Sequence, residues 1–219
     1  IQARTGELFA LRAVGTPEAS GQLEARLGEE AARKTPQAEA VRANFLAATG
    51  DFSAAREALE SLQTLLPTPG QALPFVQRIE RLEALGGLPT PGPAELAEQA
   101  SLRLSILDTR GALQLAEAAA TAAASSAVEL RAQVLLLWSQ CLESASGPEA
   151  ALEPLQQARD LAGLSPQAAG AIDQARRRLE ACWAGAEPPP RSVLAGLGAA
   201  ASAAPSAAAA RPRRAGPTG

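Results

Sequence analysis

The chain of 219 residues contains no histidine, tyrosine or methionine, and aromatic residues make up only 3% of it. Without histidine, the Ser–His and Cys–His pairs of nucleophilic enzymes cannot form, and imidazole ligands for a metal are missing as well. The two cysteines, Cys141 and Cys182, are too few for a four-thiolate site or a disulfide framework. We therefore expect a chain that is not an enzyme and that needs no metal and no cofactor.

Both cysteines lie in segments that we expect to be helical, close to Trp138 and Trp183. A free, buried thiol is the preferred interpretation for each, because unpaired cysteine behaves as a small apolar residue. A disulfide between them stays open if their two helices pack together. The redox compartment is therefore undecided by the cysteines.

A strong excess of either charge and a long apolar run are also missing. The net charge is −3, and residues 186–219, with four arginines and one glutamate, carry +3, which leaves −6 for residues 1–185. A mildly acidic body is a poor ligand for a polyanion, so we expect no nucleic-acid partner. No apolar run reaches the length of about 18 residues typical of a membrane span. We expect a soluble chain, with a cytoplasmic location slightly favoured and the compartment otherwise open.

The chain is rich in alanine and leucine, which supply most of a hydrophobic fraction of 47%. Residues 35–67 contain two segments whose apolar residues recur at steps of three or four, as on one face of a helix. Those residues are Ala43, Leu46, Ala55, Leu59 and Leu62. Gly50 is placed to end the first helix and Asp51 to cap the second. The pattern predicts an all-α fold in which small side chains allow helices to approach closely.

The same stretch resembles a tetratricopeptide (TPR) repeat. It has the small residue, the aliphatic residue, the Gly-Asp-aromatic turn at Gly50, the alanine at Ala55, the leucine at Leu59 and the closing proline at Pro67. The tryptophan, Leu-Gly and tyrosine of the family's first helix are absent. The resemblance implies an α-solenoid of helical hairpins.

The other segments repeat this arrangement less regularly. Residues 1–34 are interpreted as a degenerate first repeat, since Gly15 with its following Thr-Pro lies 35 residues before Gly50 with its Asp-Phe. Further helices are predicted over 73–85 as an insertion, 94–107 with 109–123, 128–145 with a partner after Ser146, and 165–184 as a capping helix. Residues 1–185 would form the repeat domain, and the Ala- and Pro-rich residues 186–219 a disordered tail.

The family resemblance also implies where a partner would bind. In such arrays the first helix of each pair lines a concave groove that receives a peptide or a partner helix. Carried over to this sequence, the groove would contain Arg12, Gln37, Ala40, Asn44, Ala48, Ser101, Leu104, Gln133, Leu136, Gln140 and Glu143. The carboxylate-binding positions of chaperone-binding members are not kept, because Ala40 replaces a lysine and only Asn44 remains. Anion capture at those positions is therefore not expected.

Two functions remain open at this point. The chain could be a noncatalytic scaffold that presents its groove to a protein or peptide. Alternatively, it could be a structural or signal-transmitting module of a larger protein, such as a bacterial regulator, and pack against that protein's other domains. The oligomeric state is not predicted.

Overall fold

The computed structural model describes residues 2–14 and 16–183. This part of the chain is all-α, as predicted, with ten α-helices and two short 3-10 segments. The α-helices are α1 (Gln2–Val14), α2 (Pro17–Arg33), α3 (Pro36–Thr49), α4 (Phe52–Leu65), α5 (Leu73–Gly86), α6 (Pro93–Ser105), α7 (Thr109–Ala122), α8 (Val128–Ser146), α9 (Leu152–Arg159) and α10 (Pro166–Trp183). The 3-10 segments are Pro69–Ala72 and Ala123–Ser125. The tail predicted over 186–219 lies outside the described residues.

Side-chain caps explain why the helices begin where they do. The hydroxyl of Thr16 accepts a hydrogen bond from the amide of Ala19, and the hydroxyl of Thr35 accepts one from Ala38, each at 3.2 Å. A proline follows each threonine, where its missing N–H costs no helical hydrogen bond. Asp51 caps α4 in the same way, through Ala54 at 3.1 Å. The cap predicted at Asp51 is confirmed.

The ninth helix is shorter than the sequence suggests, because Pro154 stands in its first turn. Proline has no N–H to donate to the carbonyl four residues earlier, and its ring clashes with that carbonyl in a helix. Residues 148–151 accordingly form turns, and α9 runs only from Leu152 to Arg159. Ala151 and Leu155 are nevertheless fully buried. These two residues therefore reach the core although the helix starts later than the sequence suggests.

Two turns, 57 residues apart, have the same construction. After α3, the amides of Gly50 and Asp51 donate to the carbonyls of Ala47 and Leu46, which closes the helix end with a left-handed residue. After α6, the amides of Leu107 and Asp108 donate to the carbonyls of Leu104 and Arg103 in the same pattern. Gly50 has φ +87° and Leu107 has φ +70°. Leucine therefore occupies a left-handed position that glycine occupies in the other turn.

The Gly50 turn allows a direct test. Gly50→Ala should lower the free energy of unfolding by about 1–2 kcal/mol, because a Cβ is penalised in the left-handed region. Gly86→Ala is the matched control, since Gly86 ends α5 without a positive φ and with open space around it. Thermal or urea unfolding of the two variants measures the difference. Equal stability of the two would show that the turn does not hold a left-handed residue in solution.

The helices pack in chain order. Each α-helix contacts the next one, and additional contacts join α1 to α3, α3 to α5, α6 to α8 and α8 to α10. The buried apolar residues fall into several clusters, of which one joins α3, α4 and α5, and another joins α8, α9 and α10. A smaller cluster between them contains Ala100, Ala112, Ala116 and Cys141. The core is therefore distributed along the chain, and many of its buried residues are alanines.

Candidate partner-binding surface

The residues predicted to line a groove do not share one exposure. Gln37, Ser101 and Gln133 are exposed, whereas Gln140, Glu143 and Leu104 are half-buried. Ala40, Ala48, Asn44 and Leu136 are buried, at 2–5% exposure. The expectation that Ala40 and Asn44 lie on an open face without supporting the core is wrong. Binding of a partner by any residue of the set stays a prediction.

The burial of α3 explains this correction. Nine of its 14 residues are buried, and α1, α2, α4 and α5 all pack against it. Because alanine side chains are short and apolar, an alanine-rich helix allows neighbouring helices to approach it from several directions. Asn44 is enclosed to 5% exposure, and its Oδ1 has no hydrogen-bond partner among the described residues. It lies inside the helix assembly and not on an open groove.

Leu136 and Glu143 stabilise the carboxyl-terminal helices. Leu136 belongs to the cluster between α8, α9 and α10. The carboxylate of Glu143 forms a salt bridge and hydrogen bond with Arg178 of α10, and the two side chains are 17% and 8% exposed. Because both charged groups are largely removed from water, this pair fixes α10 against α8. Glu143 therefore has a structural role that accounts for its position.

A cleft of about 520 Å³ opens between α1 and the turn that joins α6 to α7. Two residues of the expected groove, Arg12 and Ala48, line it. The α1 side contains Gly6, Phe9, Ala10 and Arg12, and α3 contributes Ala48. The opposite side contains Arg103, Leu107, Asp108, Thr109, Arg110, Gly111 and Gln114. Elements far apart in the chain thus form one concave surface.

Arg103 links α3 to the α6–α7 turn at this cleft. Its Nη1 donates to the carbonyl of Ala48 at 2.9 Å and to Oδ2 of Asp108 at 2.5 Å. The other oxygen of Asp108 caps α7 by accepting from the amide of Gly111 at 3.0 Å. A Cβ at Gly111 would overlap Oδ2 of Asp108, so glycine is required for this arrangement. The charge of Asp108 is consequently balanced inside the protein.

The cleft keeps two unbalanced positive charges. Arg12 and Arg110 are both exposed, and neither forms a salt bridge with another described residue. Since Arg103 and Asp108 offset each other, the lining carries a net charge of about +2. This contrasts with the acidic balance of residues 1–185. Phe9 and Leu107, which are both half-buried, add apolar surface to the lining of the cleft.

Sequence reasoning missed the α6–α7 side of the cleft. A usable signal was present in the sequence, because Asp108 and Ala112 have the same spacing as Asp51 and Ala55, which places Leu107 at the position of Gly50. That match predicts a left-handed leucine, which is rare enough to mark a position for attention. The approach of α1 to this turn depends on the packing of α3 against both, and no local pattern encodes it.

The two cysteines are both free. Cys141 is buried, as predicted, whereas Cys182 is half-buried, and the disulfide left open by the sequence is not formed. Burial raises the pKa of the Cys141 thiol from 9.0 to about 12. The cause is that the apolar surroundings disfavour the thiolate.

The raised pKa of Cys141 makes stability depend on alkaline pH. The folded protein retains a proton that the unfolded chain loses above pH 9.0, so this contribution is complete below pH 9.0 and is lost as the pH rises toward 12. We expect the free energy of unfolding to fall by up to about 1.4 kcal/mol per pH unit over that range. Urea unfolding at several pH values should show this slope in the wild type.

Cys141→Ala is the control for this measurement. The chain has no tyrosine or histidine, and Lys34 and Cys182 are present in both proteins, so the difference between them isolates Cys141. The variant should lose stability at neutral pH but show a weaker pH dependence above pH 9.0. Parallel curves for the two proteins would contradict the burial of this thiol.

Within the described residues, no helix is long and apolar enough to cross a membrane. In the same part of the chain, no group of three or more histidine, cysteine, aspartate or glutamate residues could hold a metal ion. Comparison with protein-family models, curated proteins and solved structures gives no match to this chain.

Proposed function

We propose that the chain is a noncatalytic protein-interaction scaffold, in which TPR-like helix pairs form an α-solenoid that presents a surface to a protein or peptide. The proposal rests first on repetition. The α3–α4 and α6–α7 turns share the left-handed closing residue, the capping aspartate and the buried alanine four residues later. Two turns that lie 57 residues apart and share these three features are expected of repeated units.

The packing order supports the same proposal. Each helix contacts the next one, and further contacts join α1, α3 and α5 in one half and α6, α8 and α10 in the other, as expected of stacked helix pairs. Each pair buries its apolar face against the next, so the core is a series of clusters. Arrays of this kind expose long surfaces relative to their mass, and they commonly use them to bind other proteins.

The single observation that carries the binding role is the cleft between α1 and the α6–α7 turn. It combines apolar side chains with unpaired arginines, and arginine and aromatic residues are the types enriched where proteins bind one another. The surface also contains Arg12 and Ala48 of the groove predicted from the sequence. We propose this cleft as the principal part of the binding surface.

Affinity capture with the complete chain tests the proposal. The bait is the 219-residue protein, and a bait heated to irreversible unfolding is the control for non-specific retention. Retention of one protein in stoichiometric amount by the folded bait alone is the expected result. Retention of nothing beyond the control, or of further copies of this chain only, would contradict a scaffold for a separate partner.

A further inference from the structure

We propose that the cleft between α1 and the α6–α7 turn binds an acidic peptide segment of a partner protein, with an apolar side chain beside its carboxylates. This inference rests on the proposed function and specifies the chemistry of the partner. The two free guanidinium groups of Arg12 and Arg110 face a cleft whose other ionic pair, Arg103 with Asp108, is already balanced. Because both guanidinium groups are exposed and form no salt bridge among the described residues, the carboxylates of a ligand in the cleft can pair with them.

The apolar lining defines the second part of the ligand. Phe9 packs against Phe45 in a tilted arrangement, with ring centroids 5.2 Å apart, and it also borders the cleft. Leu107 borders the cleft on the other side, in a left-handed conformation that residues with a Cβ rarely adopt. Both side chains stay half-buried, and an apolar group from the ligand would cover their remaining surface.

Charge and exposure favour a peptide of a partner protein over residues 186–219 of this chain and over a small anion. Residues 186–219 of this chain carry +3, and the same sign as the cleft disfavours their docking there. A small anion is disfavoured by exposure, because small-ligand sites bury most of the ligand's surface. Here Gly6, Ala10, Arg12, Arg110 and Gln114 are all exposed along the cleft. A peptide can continue beyond the cleft and make further contacts along α1.

Binding of defined peptides to the complete chain tests this inference. The probes are a panel of short fluorescent peptides that carry glutamates around a leucine or phenylalanine, and counterparts with glutamine at every glutamate. We expect at least one acidic peptide to bind roughly tenfold or more tightly than its glutamine counterpart, and its affinity to fall as salt is raised. Fluorescence anisotropy provides the measurement.

Three variants at the cleft and two control variants locate the site. Arg12→Glu and Arg110→Glu should each weaken peptide binding by about tenfold or more. Arg177→Glu should leave it unchanged, since Arg177 is exposed on α10 away from the cleft. Gly6 lines the cleft, and a side chain there would meet no other atoms, so Gly6→Leu should fill part of the cleft without a clash. Gly21→Leu is its control, because it adds the same side chain in open space on α2. Unchanged circular dichroism and melting temperature confirm that each variant folds.

The outcomes separate this inference from the proposed function. Equal binding of acidic and glutamine peptides, or full binding by Gly6→Leu and both arginine variants, would overturn the acidic-peptide assignment. Displacement of the peptide by inorganic phosphate at equal concentration would also overturn it, in favour of a simple anion site. A captured partner that still binds all three cleft variants would leave the scaffold function standing and place its surface elsewhere. Failure to capture any partner would count against the scaffold function alone.

Discussion

Glu143→Ala should lower the free energy of unfolding by about 3–5 kcal/mol, the largest effect that we expect from one polar substitution. The carboxylate of Glu143 pairs with Arg178, whose side chain is only 8% exposed. Removing the carboxylate leaves a guanidinium group enclosed between α8 and α10 without its partner, and its Nε already has no hydrogen bond among the described residues. Urea unfolding followed by circular dichroism measures the loss.

An exposed ion pair on α10, the helix that contains Arg178, is the matched control. Arg176 and Glu180 form a salt bridge at 2.7 Å, with side chains 37% and 47% exposed. Glu180→Ala should therefore cost at most about 1 kcal/mol, as solvent-exposed pairs do. The double replacement of Glu143 by leucine and Arg178 by methionine should recover much of the loss, because no charge then stays buried. Equal effects of Glu143→Ala and Glu180→Ala would show that the Glu143 pair is exposed in solution.

Leu62→Ala should cost about 2–5 kcal/mol through lost burial and the cavity that remains. Leu62 is 1% exposed and lies in the cluster of α3, α4 and α5. Small neighbours such as Ala43 and Ala58 also belong to this cluster, and short side chains cannot extend into the space that the leucine leaves. The cost should therefore lie toward the upper part of that range. Thermal unfolding of the purified variant provides the measurement.

Leu65→Ala provides the comparison for Leu62, since the two leucines lie three residues apart on α4. Leu65 is 37% exposed, so its truncation removes less buried surface than that of Leu62 and should cost only about 1 kcal/mol. A similar loss in both variants would mean that the helix is rotated relative to the structure. The comparison thus tests the orientation of the helix that follows the Gly50 turn.

Local chemistry made several helix starts predictable. Thr16, Thr35 and Asp51 each precede a residue suited to the first helical turn, and their side chains bond within three residues. Such interactions do not depend on the rest of the fold. The same holds for the buried alanines of successive helices, whose spacing reports a helix face directly. Ala55, Ala112 and Ala151 are all fully buried.

Features that depend on distant parts of the chain were not predictable in this way. The enclosure of Asn44 follows from the packing of several helices around α3, and an alanine-rich helix does not reveal in advance which of its faces is open. The Glu143–Arg178 pair joins residues 35 positions apart, and nothing near Glu143 distinguishes it from a solvent-exposed carboxylate. The cleft likewise requires α1 to approach a turn about a hundred residues later. Tertiary packing decides all of these.

Native-state hydrogen exchange on the wild type and on Leu62→Ala tests the proposed array most directly. In a chain of helix pairs that contact only near neighbours, a cavity destabilises the local unit most. We expect the amides of α3, α4 and α5 to exchange faster in the variant, while those of α8, α9 and α10 keep their wild-type rates. Equal acceleration in all ten helices would contradict it, because the chain would then unfold as one cooperative core and not as an array of helix pairs.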